Sequence, residues 1–143
     1  MATAIALSER GRNVGVAYNR KEAKDHGEGG RLVGADVAGR VLLIDDVLTS
    51  GKAIRDAAAL VAATDAVIVG AVIAMDRQEV RGDAADAGVT AVQELSQELA
   101  APVISIANLA DLIHYLDQTD DATAASTLQG MRDYQARYCQ MGN

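Results

Sequence analysis

The chain is predicted to be an α/β domain with a mostly parallel, twisted sheet flanked by helices, and three observations predict it. Apolar runs rich in Val and Ile alternate with amphipathic helical segments along most of the sequence. RVLLIDD, residues 40–46, is apolar without alternation and ends in two acids, the pattern of a strand buried on both faces of a parallel sheet. At 143 residues, half of them apolar, the chain suits one domain with its own core, so residues 1–143 are read as a single unit.

ATAIALSERG, residues 2–11, reads as a short helix stopped by glycine. NVGVAYN, 13–19, alternates as a strand does, and the glycine-rich stretch after it reads as a surface loop or loose hairpin closing near RLVG. After the 40–46 strand, VLTSG turns the chain into a helix over about 52–63. DAVIVGAVIAMDR repeats the strand pattern, AVQELSQELAA is an amphipathic helix, PVISIA a strand and NLADLIHYLDQ a helix. Residues 122–138 read as a last helix with Leu128, Met131 and Tyr134 or Gln135 on one side, and CQMGN as a frayed end.

Composition narrows the function. With no Phe or Trp and only four Tyr, the chain lacks aromatic platforms for stacking bases. Its net charge of −7, from 20 acids against 13 Lys and Arg, repels nucleic acid and anionic membranes. The expected partner is therefore a small molecule held by a local basic site, with no nucleic acid and no membrane. The first residues show no signal-peptide pattern, and the longest apolar run, 66–75, is about half of a membrane span. The single Cys139 fits a reducing compartment and is read as structurally incidental. A cytoplasmic location is expected.

Ligands of open α/β sheets sit beyond the carboxyl ends of the strands. At one such end, LLIDDVLTSGKA places Asp45 and Asp46 before a turn of Thr49, Ser50 and Gly51 that opens a helix. Backbone N–H groups in such a turn can cradle a phosphate, and the acids can accept hydrogen bonds from sugar hydroxyls or hold hydrated Mg²⁺. The plainer alternative, a strand end followed by a helix cap, leaves the whole array unexplained. IAMDRQE brings Arg77 to the next strand end, where it either binds a planar carboxylate or imide or pairs with Asp76 or Glu79. His114, among apolar neighbours at helical spacing, is read as a packed or surface residue. NRKEAKDHGEGG, 19–30, gathers Arg20, Lys21, Lys24 and His26 on a segment too rich in glycine for a stable helix.

VLLIDDVLTSG is similar to the phosphoribosyl pyrophosphate (PRPP) motif of the type I phosphoribosyltransferases. Together with YNRKEAKDHGEGG before it and AMDRQE after it, in this order and close to this spacing, it resembles the orotate phosphoribosyltransferases in particular, over residues 2–118. The resemblance implies transfer of the phosphoribosyl group from PRPP to orotate, with Mg²⁺ held chiefly by PRPP and water, in a homodimer whose basic loop closes over the neighbouring subunit's site. It implies that Arg20, Lys21, Lys24 and His26 contact pyrophosphate, with Lys24, His26 and Lys21 the catalytic candidates. It further implies that Asp45 and Asp46 hold the ribose, that Thr49, Ser50, Gly51, Lys52 and Ala53 wrap the 5′-phosphate with Val47 and Leu48 also binding PRPP, and that Thr49 and Arg77 position orotate. Lys52 stands where the family commonly has threonine. The family's N-terminal hood and its lysine-bearing loop have no counterpart ahead of ATAIAL, so the domain is expected to be incomplete at that end, weakly active or inactive alone, and prone to self-association. A phosphoribosyltransferase for a purine or related base, and a non-catalytic PRPP-binding module, are the alternatives.

Overall fold

The computed structural model describes residues 1–20, 31–81, 88–119 and 122–139. Helix α1 (Ala2–Glu9) ends at Arg10, and Gly11 at φ 74° turns the chain out of it, as its sequence predicts. Strands β1 (Ala17–Asn19) and β2 (Leu32–Gly34) form an antiparallel hairpin in which Tyr18 faces Val33. The strand predicted from residue 13 begins later, at Ala17.

The centre is a three-stranded parallel sheet in the order β3 (Arg40–Leu48), β4 (Val67–Asp76), β7 (Val103–Asn108). Val41 pairs with Ile68 and Leu42 with Gly70, so Val69 is an extra residue in β4. Beyond that bulge the register brings Leu48 level with Asp76 and Asp76 level with Asn108, which aligns the carboxyl ends of all three strands. Between β4 and β7 lies a short antiparallel pair missed in the sequence, β5 (Val80–Arg81) and β6 (Val89–Thr90), whose two-residue strands are too brief to show a period.

Helices α2 (Lys52–Val61) and α3 (Ala91–Leu99) follow β3 and β6. Helix α3 starts with a reciprocal cap: Gln93 N–H donates to Thr90 Oγ1 at 3.2 Å, and Thr90 N–H donates to Gln93 Oε1 at 2.9 Å. Helix α4 (Leu109–Asp117) repeats the device with Asn108 and Asp111 at 3.0 and 2.9 Å. Both helices therefore begin where a capping pair satisfies their first amides, worth about 1 kcal/mol each.

The core joins Leu43, Leu48, Ala71 and Ile73 of the sheet to Ile54 and Val61 of α2 and Ala91 and Leu95 of α3. Ile73 and Leu95 are fully enclosed. Among the described residues nothing covers the opposite sheet face: Leu42, Ile44, Ile104 and Ile106 are 50–78 % exposed, with Ile44 and Ile104 flanking Val72 in one lateral row. This corrects the expectation that β3 is buried on both faces. Its residues are apolar on both sides, but α2 and α3 pack on one side only.

Helix α5 (Ala122–Tyr138) packs along α4, with Arg132 Nη2 2.8 Å from Asp117 Oδ1. Leu128, Met131, Tyr134 and Gln135 are its half-buried residues, the stripe expected from their spacing. Its end is tied to the turn after β4: the Tyr134 hydroxyl donates to Glu79 Oε1, and Cys139 forms an antiparallel bridge with Glu79. The Cys139 thiol donates to the Arg77 carbonyl at 3.3 Å. Cys139 is thus a packed contact rather than an incidental or frayed residue, because the bridge carries the chain past the helix end. Residues 140–143 lie outside the described residues.

Three outcomes follow from this packing. Leu95→Ala should lower unfolding stability by about 2–5 kcal/mol in urea titration, whereas Ile106→Lys should change it by less than about 0.5 kcal/mol while reducing concentration-dependent association in sedimentation. Burial, then the Glu79 and Asp76 carboxylates, push the Cys139 thiol above its ordinary pKa. Its alkylation rate should accordingly rise only at a higher pH in the folded chain than in urea, as mass spectrometry over a pH series would read.

Candidate functional site

The carboxyl end of β3 opens onto a cavity of about 540 Å³ lined by Asn19, Asp45, Asp46, residues 47–53 and Asp56. The residues predicted to bind ribose and 5′-phosphate are therefore brought together in one place. Strand β3 delivers the acids, the turn at 49–51 delivers backbone amides, and α2 carries the chain away beneath them.

Each acid is steadied by the amide that follows it. Asp46 N–H donates to Asp45 Oδ1 at 3.1 Å, and Val47 N–H donates to Asp46 Oδ1 at 2.6 Å. These bonds hold both carboxylates against the end of the strand. Asp45 is half-buried and Asp46 exposed, so one acid sits against the fold and the other meets solvent.

In the turn, Lys52 N–H donates to Ser50 Oγ at 3.3 Å, and Gly51 starts α2 in the left-handed region, φ 70° and ψ 6°. Glycine is required there twice over: L-residues are strained at that φ, and a Cβ would lie 2.9 Å from Arg55 Nη1. Gly51 itself offers no capping side chain, and among the described residues only Ser50 Oγ meets an amide at the start of α2, that of Lys52, which leaves the next amides to be met by water or an anion. Lys52 Nζ reaches Asp56 Oδ2 at 2.6 Å across one helical turn. With the lysine side chain 77 % exposed, that pair holds its cation only weakly at the cavity rim.

Beneath the turn, Arg55 donates from Nε and Nη2 to the two oxygens of Glu98 at 2.5 and 2.9 Å, and from Nη1 to the Ser50 carbonyl. Glu94 Oε2 lies 3.4 Å from Nη2. The Glu98 hydrogen bonds, opposed in part by burial and aided by the charges of Glu98 and Glu94, raise the Arg55 pKa further. Its charge is permanent and already matched by acids.

The basic segment begins at this cavity. Asn19 lines it, and the hairpin closes with Arg20 N–H donating to the Arg31 carbonyl at 2.8 Å, so both ends of the 21–30 stretch are fixed beside each other. Lys21, Lys24 and His26 lie outside the described residues.

Arg77 follows Asp76 out of the sheet at the level of Thr49, yet it does not line the cavity. Nη2 pairs with Glu79 Oε2 at 3.0 Å, the alternative weighed from its sequence context, and Nε is buried without a partner among the described residues. His114 is exposed and meets Gln118 at 3.0 Å, consistent with a surface role. Asn19 and Asp56 are the cavity residues that sequence reasoning missed. Only the four-residue spacing from Lys52 to Asp56 hinted at the second.

The described residues contain no cluster of three or more His, Cys, Asp or Glu able to hold a metal, and no helix long and apolar enough to cross a membrane. The donor set at the cavity, a half-buried and an exposed carboxylate on adjacent residues, suits a Mg²⁺ that would keep most of its ligands from substrate and solvent.

No protein-family model matches the chain. It is 49 % identical over 138 residues to the orotate phosphoribosyltransferase of Ralstonia pickettii, covering 96 % of this chain and 61 % of that protein. It is likewise 49 % identical over 138 residues to the enzyme of that name from Polynucleobacter necessarius, covering 62 % of it. Among solved structures, the orotate phosphoribosyltransferase of Francisella tularensis superposes with a TM-score of 0.73 at 29 % identity, over 97 % of this chain and 63 % of that one. The Mycobacterium tuberculosis orotate phosphoribosyltransferase, solved with Fe(III) dicitrate, superposes at 0.56 with 28 % identity over 70 % of this chain and 51 % of that one. The chain spans about three fifths of the length of the curated relatives it matches. Over that span its sequence is similar to those of orotate phosphoribosyltransferases, and its α/β fold matches that of the solved Francisella tularensis enzyme.

Proposed function

We propose that the chain forms the PRPP-binding part of an orotate phosphoribosyltransferase, which breaks the bond from the ribose anomeric carbon to pyrophosphate and joins that carbon to a ring nitrogen of orotate. One observation carries the reading: the acid pair, the Gly51 turn and the base of the basic hairpin line a single cavity at the strand ends. A sugar flanked by phosphates needs that sequence of partners, acceptors for its hydroxyls between donors for its anions.

In this assignment Asp45 and Asp46 accept from the ribose hydroxyls, each with one oxygen already fixed by the chain. The amides of the 49–51 turn and of the start of α2 receive the 5′-phosphate, the Lys52 amide turning to it from Ser50 Oγ, with the Lys52 side chain adding charge when it leaves Asp56. As the anomeric bond lengthens, positive charge grows on the sugar and negative charge on the departing pyrophosphate. Arg20, Lys21, Lys24 and His26 are assigned to that anion, with Lys24, His26 and Lys21 donating protons or charge. Mg²⁺, bound through PRPP, water and at most the two acids, would neutralise part of the pyrophosphate charge. Thr49 and Arg77 are assigned to orotate; the pair that Arg77 makes with Glu79 then opens to admit the substrate carboxylate. A homodimer sharing the basic loop and a cytoplasmic location complete the proposal.

Calorimetry of the 143-residue chain should show one site for PRPP with Mg²⁺, and Asp45→Asn or Asp46→Asn should weaken it roughly 10- to 100-fold. No PRPP binding by the folded chain overturns the reading. Where pyrophosphate release is measurable, it should depend on orotate rather than on a purine base, and Lys24→Ala should slow it roughly 100-fold or more. Binding without any release identifies a non-catalytic PRPP module instead.

A further inference from the structure

The geometry points to Arg55 as a positioning residue that locks the Ser50–Gly51 peptide so that the Gly51 amide faces the anion. This rests on the reading of the turn as the 5′-phosphate cradle. Arg55 stands one helical turn after Gly51 on α2, and a helical side chain leans toward the helix start, which brings its guanidinium under the turn. There Nη1 takes the Ser50 carbonyl oxygen. In a planar trans peptide the carbonyl and the next N–H point in opposite directions, and no peptide among the described residues is cis. Holding the Ser50 oxygen toward Arg55 therefore turns the Gly51 N–H away from it. Ser50 and Gly51 line the cavity and Arg55 does not, so the side opposite the guanidinium is the ligand side.

A lock is needed because of the residue it acts on. Glycine accepts either sign of φ at little cost, so the Ser50–Gly51 plane could rotate and present an oxygen to the phosphate. Arg55 raises the cost of that rotation by one charge-assisted hydrogen bond. Its guanidinium is in turn immobilised by the two-oxygen fork of Glu98, with Glu94 alongside, both from α3. Those acids neutralise its charge, which suits an orienting group better than a direct anion ligand. The 2.9 Å separation between Nη1 and a Cβ built on Gly51 shows how closely the two residues fit.

The test titrates the wild-type chain, Arg55→Met, Arg55→Lys and Glu98→Gln with ribose 5-phosphate and, separately, with pyrophosphate and Mg²⁺, and follows the Gly51 amide by NMR without ligand. Arg55→Met should weaken ribose 5-phosphate roughly tenfold, leave pyrophosphate unchanged, and shift and broaden the Gly51 amide. Arg55→Lys, which keeps the charge but not the fork, should restore only part of the affinity. Glu98→Gln should move the same amide less. Equal loss for both ligands, or unchanged ribose 5-phosphate affinity with an unmoved Gly51 amide, overturns the proposal. If Arg55→Met does not fold, the lysine and glutamine variants decide by the same two readouts. If the wild type ignores ribose 5-phosphate, the cradle reading fails, and the Gly51 amide in the free protein still decides whether Arg55 sets that peptide.

Discussion

The parallel ladder between β3 and β4 is the constraint on which the site depends. Its register, corrected once at the Val69 bulge, places Leu48 opposite Asp76 and so decides that the acid pair, the 49–51 turn and Arg77 all leave the sheet at one level. A slip of one residue would exchange the faces of β3 and bury Leu42 and Ile44 in place of Leu43. The buried contacts of Leu43, Ile73 and Leu95 thus do more than stabilise the fold. They fix the level at which the acid pair and the 49–51 turn leave the sheet.

Much of this was legible in the residues. The alternation of strand and helix was visible because buried parallel strands are apolar throughout while their connecting helices are amphipathic, and the two periods differ enough to be told apart. The cavity was visible because its components are contiguous: Asp45 to Lys52 is a local motif whose geometry follows from a strand end, a glycine and a helix start. The missed features are those that depend on distant partners. Whether the outer face of Ile44 and Ile104 is covered is a matter of what packs there, which an apolar run does not encode. Cys139 meets Arg77 and Glu79 across 62 and 60 positions, and Arg55 meets Glu98 across 43; no local pattern announces such pairs. Arg77 shows the same limit within two residues, since carboxylate recognition and a pair with Glu79 require the same side chain.

The electrostatic design is also economical in a physical sense. A chain of net charge −7 presents little long-range attraction to polyanions, so binding of one must rely on short-range groups that are in place beforehand. In the proposed site, backbone amides at the start of α2 meet that need without adding net charge. Asn19 in the same cavity wall and the Arg20–Arg31 closure are the described residues that flank the basic stretch.

The tie between Glu79 and the last helix has a thermodynamic meaning. Glu79 receives Tyr134 on one oxygen and Arg77 on the other, so the docked state of α5 and the paired state of Arg77 share a single carboxylate. Any anion that captures Arg77 takes it from Glu79 and changes the charge that Tyr134 meets. Coupling of that kind is reciprocal: whatever factor α5 docking imposes on the anion's affinity, the anion must impose on the docking of α5. In the proposed site the carboxyl-terminal helix, far from the acid pair in sequence, is therefore a term in the binding equilibrium at the same carboxyl end of β4.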